Sequence, residues 1–303
     1  AGIKARSSAF LGGIMNIRKL ATTCLLLSGI SAAATVLAQD DRFANVTIET
    51  VPVTGNISML IGSGGNIGVS TGEDGLLIID DQYAPLAAKI RAALSQLNPD
   101  APKFLLNTHF HGDHTGGNAD FGVASIIIAH ENVRGRLVAE DSPSPALPVI
   151  TFDDDVTVHF NGENIILIHM PRGHTDTDSV VMFEDSNVVH MGDHFFNGGF
   201  PFVDLANGGT VQGYLSNLEK ALSWIDDETS VIPGHGPLGS KADLLAFYNV
   251  VKDTSITIRV MKSQGVSAEE AVTEGLGDEY ESWGQGFINE QRWIETVFAS
   301  YPR

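Results

Sequence analysis

The chain has 303 residues, of which 18 are Lys or Arg and 37 are Asp or Glu, and its formal net charge is −19. Such an acidic surface repels nucleic acid and anionic membranes, so the sequence predicts no nucleic-acid partner and favours a small-molecule substrate. A hydrophobic content of 43% without internal repeats is typical of a globular protein with a large core.

The N-terminal part has the pattern of an export signal. Residues 1–14 precede the first Met and are interpreted as an upstream leader. Residues 15–38 contain a basic pair, an apolar run and the small-residue cleavage motif Val36-Leu37-Ala38, which predict a signal peptide. A membrane anchor is the alternative. We therefore expect residues 39–303 to form a single domain in the periplasm or outside the cell, with no membrane attachment after signal removal.

The only cysteine, Cys24, lies inside the predicted signal peptide. The remaining chain would contain no disulfide, no thiol nucleophile and no thiolate metal ligand. Removal of residues 1–38 also removes four basic residues and no acidic ones, which leaves 14 basic against 37 acidic residues and a net charge of −23.

The first elements after the signal are predicted strands with glycine-containing turns. We expect strands at residues 46–49, 57–61, 67–70 and 76–79, and a hairpin turn at Gly62-Ser63-Gly64-Gly65. Asp80 and Asp81 follow the last of these strands. They are candidates for orienting metal-bound histidines, although a simple turn at the strand end explains them equally well. Helical spacing of apolar residues then predicts a helix over 84–97.

Four metal-binding residue types occur within six positions, directly after a predicted strand at 103–108. His109 and His111 are two residues apart, so an extended chain places both imidazoles on the same side, where they can bind one ion. Gly112 permits a turn, and Asp113 and His114 are then better placed to reach a second ion. Nitrogen and carboxylate ligands suit zinc, while iron or manganese fits less well.

Three later strands end in the same way. After a strand at 125–129, a helix at 132–139 and a loop at 141–155, predicted strands at 165–168, 188–191 and 231–233 lead to His174, Asp193 and His235, each next to a glycine. Strand ends that deliver ligands from distant parts of a sequence are a common way to build a metal site. Four such ends predict one shared site.

The pattern His-x-His-x-Asp-His and the three later motifs resemble, in order and spacing, those of the metallo-β-lactamase superfamily over residues 45–240. The resemblance implies an α/β fold, the four-layer αβ/βα sandwich, with two mixed β-sheets and helices on the outer faces. It also implies two metal ions per chain, with zinc expected. The first would bind His109, His111 and His174, the second Asp113, His114 and His235, and Asp193 would bridge them.

By the same resemblance, the protein is expected to be a binuclear hydrolase in which a metal-bound hydroxide attacks a carbonyl, with Asp113 and Asp193 as catalytic residues. A β-lactam amide is the favoured substrate, and lactonase, thioesterase or other esterase activity on the same site is the alternative. An iron-dependent oxidoreductase and a non-catalytic periplasmic binding protein are alternatives of other classes.

The flanks Gly173-His174-Thr175 and Pro233-Gly234-His235-Gly236 are most similar to those of the zinc β-lactamases. That branch, however, has cysteine at the place of Asp193 and a substrate-binding lysine at the place of Phe196. The bridging aspartate is similar to that of glyoxalase II and lactonase-type hydrolases. Glyoxalase II itself is disfavoured because the tail at 241–303 shows no basic motif for glutathione.

An apolar loop follows Asp193 directly. We predict that it forms an aromatic wall of the substrate pocket and that the adjacent His194 lines the pocket; insertion of the loop into the core is the alternative. The predicted substrate-binding residues are Phe195, Phe196, Phe200, Phe202 and His194. His159, His169 and His190 are expected to have structural roles. The sequence does not indicate an oligomeric state.

Overall fold

The structure, a computed structural model, describes residues 42–301. The predicted leader, signal peptide and cleavage motif lie outside the described residues. Residues 42–44 are helical and belong to a separate N-terminal unit, whereas the chain from Val46 onwards forms one compact unit that contains both sheets.

Two sheets are built from the two halves of this unit in turn. The first sheet has the order β1 to β7, antiparallel from β1 to β4 and parallel from β4 to β7. Its strands are β1 Glu49–Thr54, β2 Ile57–Ile61, β3 Ile67–Gly72, β4 Gly75–Ile79, β5 Phe104–Leu106, β6 Ile126–His130 and β7 Ile150–Phe152.

The second sheet has the order β13-β12-β11-β10-β9-β8, and only β11 and β12 are parallel in it. Its strands are β8 Asp155–Phe160, β9 Glu163–His169, β10 Ser179–Phe183, β11 Val188–His190, β12 Ser230–Ile232 and β13 Gly239–Ser240. Both sheets are mixed, as the superfamily resemblance implies.

The helices connect or follow the strands. They are α1 Ala87–Leu97, α2 Gly112–Thr115, α3 Asn118–Phe121, α4 Glu131–Ala139, α5 Val211–Trp224, α6 Lys241–Ser263, α7 Ala268–Glu274 and α8 Glu290–Ser300. Residues 84–86 form a 3-10 turn before α1, so the helix predicted over 84–97 is confirmed with a tighter first turn. Among the described residues, no helix combines the length and hydrophobicity needed to cross a membrane.

The core lies in two layers. Met59 and Leu77 of the first sheet pack in one cluster with Leu167 and Val181 of the second, so the two sheets face each other. A second cluster joins the outer face of the second sheet to α5, α6 and α8, with the fully buried Phe247 and Trp293 among its largest members. Burial of these faces supplies the main driving force for the sandwich. The predicted four-layer α/β fold is therefore confirmed.

Two local predictions are wrong. The first strand spans residues 49–54 rather than 46–49; it contains Pro52, which is tolerated because β1 is an edge strand. The predicted loop at 141–155 contains the three-residue strand β7 and a 3-10 turn at 144–146. A strand this short carries no alternating pattern, and it forms because β6 offers a parallel partner.

Candidate metal centre

The four predicted strand ends meet at one edge of the sandwich. His109 and His111 follow β5, His174 follows β9, Asp193 follows β11 and His235 follows β12. Asp113 and His114 lie in the short helix α2, which begins at Gly112. The seven predicted ligands form two groups, and within each group the ligand atoms lie within 4.8 Å of one another. The first group is His109, His111, His174 and Asp193, and the second is Asp113, His114 and His235.

Three imidazole nitrogens converge in the first group. The Nδ1 atom of His111 lies 3.2 Å from Nε2 of His109 and 2.8 Å from Nε2 of His174. Tetrahedral zinc with nitrogen ligands at 2.0–2.1 Å would separate such nitrogens by about 3.3 Å. The spacing therefore fits three ligands of one ion.

Asp193 directs one carboxylate oxygen to each group. Its Oδ2 atom lies 3.9 Å from Nε2 of His109 and 3.5 Å from Nε2 of His174. Its Oδ1 atom lies 3.1 Å from Nε2 of His114 and 3.4 Å from Nε2 of His235. A carboxylate in this position can serve two cations at once, as the predicted bridging role requires.

The second group is completed by Asp113, whose Oδ2 atom lies 3.4 Å from Nε2 of His235 and 3.8 Å from Nε2 of His114. Nε2 of His114 and Oδ1 of Asp193 are buried and have no hydrogen-bond partner. A buried polar atom without a partner is costly unless something else binds it. A divalent metal ion at this point satisfies both atoms, so the residues fit the predicted pair of ions.

The two groups differ in their electrostatics. Burial lowers the pKa of His109 well below its ordinary value and that of His174 to about 4, so both imidazoles are neutral and ready to bind a cation. In the second group, burial alone would lower the pKa values of His114 and His235. Asp193 and the neighbouring carboxylates outweigh this effect, raising the pKa of His114 and bringing that of His235 to about 9.

Asp80 holds the second group in place from behind. It adopts a left-handed backbone conformation with φ of 63°, and its fully buried carboxylate accepts hydrogen bonds from the amide and hydroxyl of Thr108 and from Nδ1 of His114 at 2.7 to 2.8 Å. The bond to Nδ1 leaves Nε2 of His114 free for a metal. Asp80 thus lies where the predicted orienting role requires it, whereas Asp81 accepts from the amide of Gly117 instead.

The first group has its own supports. Nδ1 of His174 donates to the carbonyl of Phe202 at 2.7 Å, and Nε2 of His111 lies 3.0 Å from Oδ2 of Asp204. Sequence reasoning missed Asp204, which belongs to no motif and reaches His111 across 93 positions of the chain. The one sequence feature that could have indicated Asp204 is its position directly after Phe202 and Val203 of the apolar loop.

We expect Asp80→Asn to weaken metal binding about 10- to 100-fold. The Asp80 carboxylate accepts from Thr108 and His114, and an asparagine side chain would turn an N–H group towards one of these donors. Competition titration with a chromophoric chelator measures this affinity. Asp81→Asn is the matched control, since this equally buried neighbour does not bond to a histidine, and its affinity should stay within twofold of the unchanged protein. Equal losses in both variants would contradict the orienting role.

The family model of the metallo-beta-lactamase superfamily matches residues 60–235, more than half of the chain. The chain belongs to this superfamily. The predicted superfamily membership is thus confirmed.

Curated superfamily relatives match at low identity. A hydroxyacylglutathione hydrolase of Polaromonas sp. is 33% identical over 135 residues, which cover 43% of this chain and 47% of the relative. An atrochrysone carboxyl ACP thioesterase of Emericella nidulans is 26% identical over 194 residues, 64% of this chain and 59% of the relative. The chain therefore spans about half the length of the curated relatives it matches.

Among solved structures, a metallo-beta-lactamase from Pontibacter korlensis has the same fold. The TM-score is 0.60 at 16% sequence identity, and the match covers 68% of this chain and 99% of that one.

The predicted aromatic wall divides into two parts. Phe195 and Phe200 are buried in the core, where their rings contact Phe247 and Trp293, so the structure does not place them at the site. The physical reason is that the sheet and the tail helices offer the loop a large apolar surface. His194 is likewise buried, stacked on Tyr214 with its Nε2 atom 3.0 Å from Asn217.

Phe196 and Phe202 do lie beside the metal centre. The ring of Phe196 stacks on His235 at 5.0 Å between centroids, and that of Phe202 lies 5.9 Å from His111 and 5.6 Å from His174. Phe202 is partly exposed, whereas Phe196 is nearly buried. Phe202 is therefore the better placed of the predicted wall residues to contact a substrate.

The remaining predicted structural histidines lie away from the ligand atoms. His190 is fully buried, with its Nε2 atom 3.0 Å from the carbonyl of Asn66. His169 stacks on His130 at 3.7 Å, and the exposed His159 bonds to Asn164. These contacts agree with structural roles.

The centre opens to solvent on one side. The side chains of His235, Asp113 and His111 are 31%, 22% and 18% exposed, whereas His109, His114 and His174 are almost wholly buried. The loop at 62–65 joins β2 to β3, as the predicted hairpin turn does, and lies against this opening. The amide of Gly65 donates to the carbonyl of Asp113, and a Cβ atom on Gly65 would overlap the ring of His114.

Proposed function

We propose that the protein is an exported binuclear zinc hydrolase that cleaves an acyl thioester or ester. The observation that carries the proposal is the carboxylate of Asp193, which directs one oxygen to each of two ligand groups at a solvent-facing edge. A thioesterase and a hydroxyacylglutathione hydrolase among the relatives support thioester and ester substrates. The β-lactam amide favoured from the sequence is the second candidate, because the flanks of His174 and His235 resemble those of zinc β-lactamases.

The ligand set supports zinc as the metal. It consists of five imidazoles and two carboxylates without any thiolate, a combination that zinc accepts readily. When bound, a pair of such ions lowers the pKa of water and polarises an acyl carbonyl. An iron centre would support the oxidoreductase alternative.

The chain's own residues explain how an acyl substrate would be handled. Although burial opposes it, His114 and His235 lower the pKa of Asp113, so this carboxylate is ionised at neutral pH and can bind a cation at the open edge. Burial also opposes ionisation of Asp193, but His114 and His235 keep its pKa well below the ordinary value. Both catalytic carboxylates are thereby held as anions, and the ring of Phe202 shields one side of the opening from water.

Export rests on the signal-peptide pattern of residues 15–38. Expression of residues 1–303 in a bacterium, followed by fractionation and N-terminal sequencing, tests it. The expected product is periplasmic and begins at Gln39. A product that keeps residues 15–38 in the cytoplasm would contradict export and leave the hydrolase proposal intact.

Metal content and turnover test the hydrolase proposal together. We expect about two zinc ions per chain by mass spectrometry, hydrolysis of a phenylacetyl thioester, loss of that turnover in a chelator and its return with zinc. Full turnover by the metal-stripped protein, or two iron ions without hydrolysis, would overturn the proposal. If the protein hydrolyses a chromogenic cephalosporin in a chelator-sensitive way but leaves thioesters intact, the β-lactam amide replaces the thioester as the favoured substrate.

A further inference from the structure

An arginine from the C-terminal tail packs on Phe202, whose ring lies beside the metal centre. The guanidinium of Arg292, in the first turn of α8, lies 5.4 Å above the ring of Phe202 and 5.2 Å above that of Phe287. The two rings meet edge to face at 6.1 Å. Because the ring of Phe202 also lies 5.9 Å from that of His111, the guanidinium is two ring contacts away from a metal ligand.

Among the described residues, this arginine forms no ion pair. Within residues 42–301, no carboxylate oxygen lies within 4.0 Å of the Arg292 guanidinium, whereas Arg91 and Arg136 are each paired with an aspartate. Arg292 is exposed, and Phe287 is 75% exposed, so both face solvent beside the centre. An unpaired cation held between two rings is positioned to accept an anion from solution.

The position of Arg292 is unfavourable for the helix itself. α8 begins after the cap residue Asn289, whose side chain accepts from the amide of Arg292. A positive charge in the first turn opposes the helix dipole, which favours anions at this end. The amide of Arg292 is already bonded to Asn289, so the guanidinium is the group that can attract an anion here, in a chain whose net charge of −19 otherwise repels one.

We infer that Arg292 binds an anionic group of the substrate, which narrows the substrate class to acyl compounds that bear a carboxylate and an apolar portion. The apolar portion lies against Phe202 and Phe287, and the acyl carbon reaches the metal centre beyond Phe202. This inference rests on the proposed hydrolase function and assigns Arg292 a specificity role, with no part in the bond-breaking step.

Two thioesters that differ in one group test the inference. S-phenylacetyl mercaptoacetate carries a carboxylate, and S-phenylacetyl mercaptoacetamide carries a neutral amide in its place; the loss of thioester absorbance follows the hydrolysis of each. For Arg292→Gln in the zinc-loaded protein, we expect KM for the carboxylate to rise about tenfold or more, with little change in kcat. The amide should change less than twofold, and Arg292→Lys should keep part of the preference.

Arg259→Gln is the matched control. Arg259 also lies over an aromatic ring, that of Tyr301. Tyr301 follows Arg292 by nine residues, which corresponds to about 13 Å along the axis of α8. This variant should keep the preference for the carboxylate. Equal losses for both thioesters in Arg292→Gln would indicate a structural role and overturn the inference, as would an unchanged preference.

Binding separates this inference from the proposed function. If the zinc-loaded protein hydrolyses neither thioester, calorimetry with the intact carboxylate thioester decides the inference alone. Weaker binding by Arg292→Gln than by Arg259→Gln, with a difference that disappears at high salt, supports the anion site while the hydrolase proposal fails. Equal binding by both variants overturns the anion site.

Discussion

Replacing Asp113 with Ala is expected to lower kcat/KM for the best acyl substrate by more than about 10³-fold, because several kcal/mol of charge stabilisation depend on a complete metal pair. The change removes one ligand of the second group and the ionised carboxylate nearest to solvent. The fold should persist, since the backbone of α2 is held by its own bonds, including those from His114 and Thr115 to the carbonyl of His111. Steady-state kinetics and thermal melting by circular dichroism measure the two effects.

Asp227→Ala is the control for this loss. The side chain of Asp227 is 94% exposed and pairs with Lys241 at 3.5 Å, so activity should be unchanged. His111→Ala should resemble Asp113→Ala in activity while weakening the first metal site instead of the second. Retention of more than a tenth of the original turnover by Asp113→Ala would contradict a catalytic role for this carboxylate.

Most metal ligands could be predicted from the sequence because they follow strands whose apolar pattern is strong. Strands β5, β11 and β12 are buried along their whole length or nearly so, and the predicted ends of each lie within two residues of the observed ones. His109 and His111 add a two-residue spacing that already places their rings together. Local patterns thus define both the scaffold edge and the groups that it presents.

The supporting residues could not be predicted in the same way, because their partners are distant in sequence. Asp204 reaches His111 from a loop without regular structure, and Arg292 reaches Phe202 from the last helix of the tail. Phe195 and Phe202 belong to one apolar loop, yet one is buried and the other is partly exposed at the centre. Which face of such a loop is buried depends on tertiary packing, which residue type alone does not determine.

Binding of the second metal ion is expected to depend more steeply on pH than binding of the first. Although burial opposes it, Asp193 and Asp113 raise the pKa of His235 to about 9, so a proton occupies this imidazole in the metal-free protein at neutral pH. The pKa of His114, the other imidazole of this group, is also raised, mainly by Asp193 against the effect of burial. A metal ion must displace the protons of both imidazoles, so its affinity should rise about tenfold or more per pH unit through neutral pH. Burial lowers the pKa of His109 and brings that of His174 to about 4, so these two ligands of the first ion carry no proton to displace at neutral pH.

Zinc titrations at a series of pH values measure the two affinities separately. The raised pKa of His235 also stabilises the metal-free fold below pH 6.5, and this contribution is lost as the pH rises through 9, so the gain in melting temperature on adding zinc should grow over the same interval. His159→Gln, which alters an exposed histidine bonded to Asn164, should leave both trends unchanged. Two ions that bind with the same pH dependence would show that the carboxylates of Asp113 and Asp193 do not hold a proton on His235, and the assignment of two electrostatically distinct sites would be wrong.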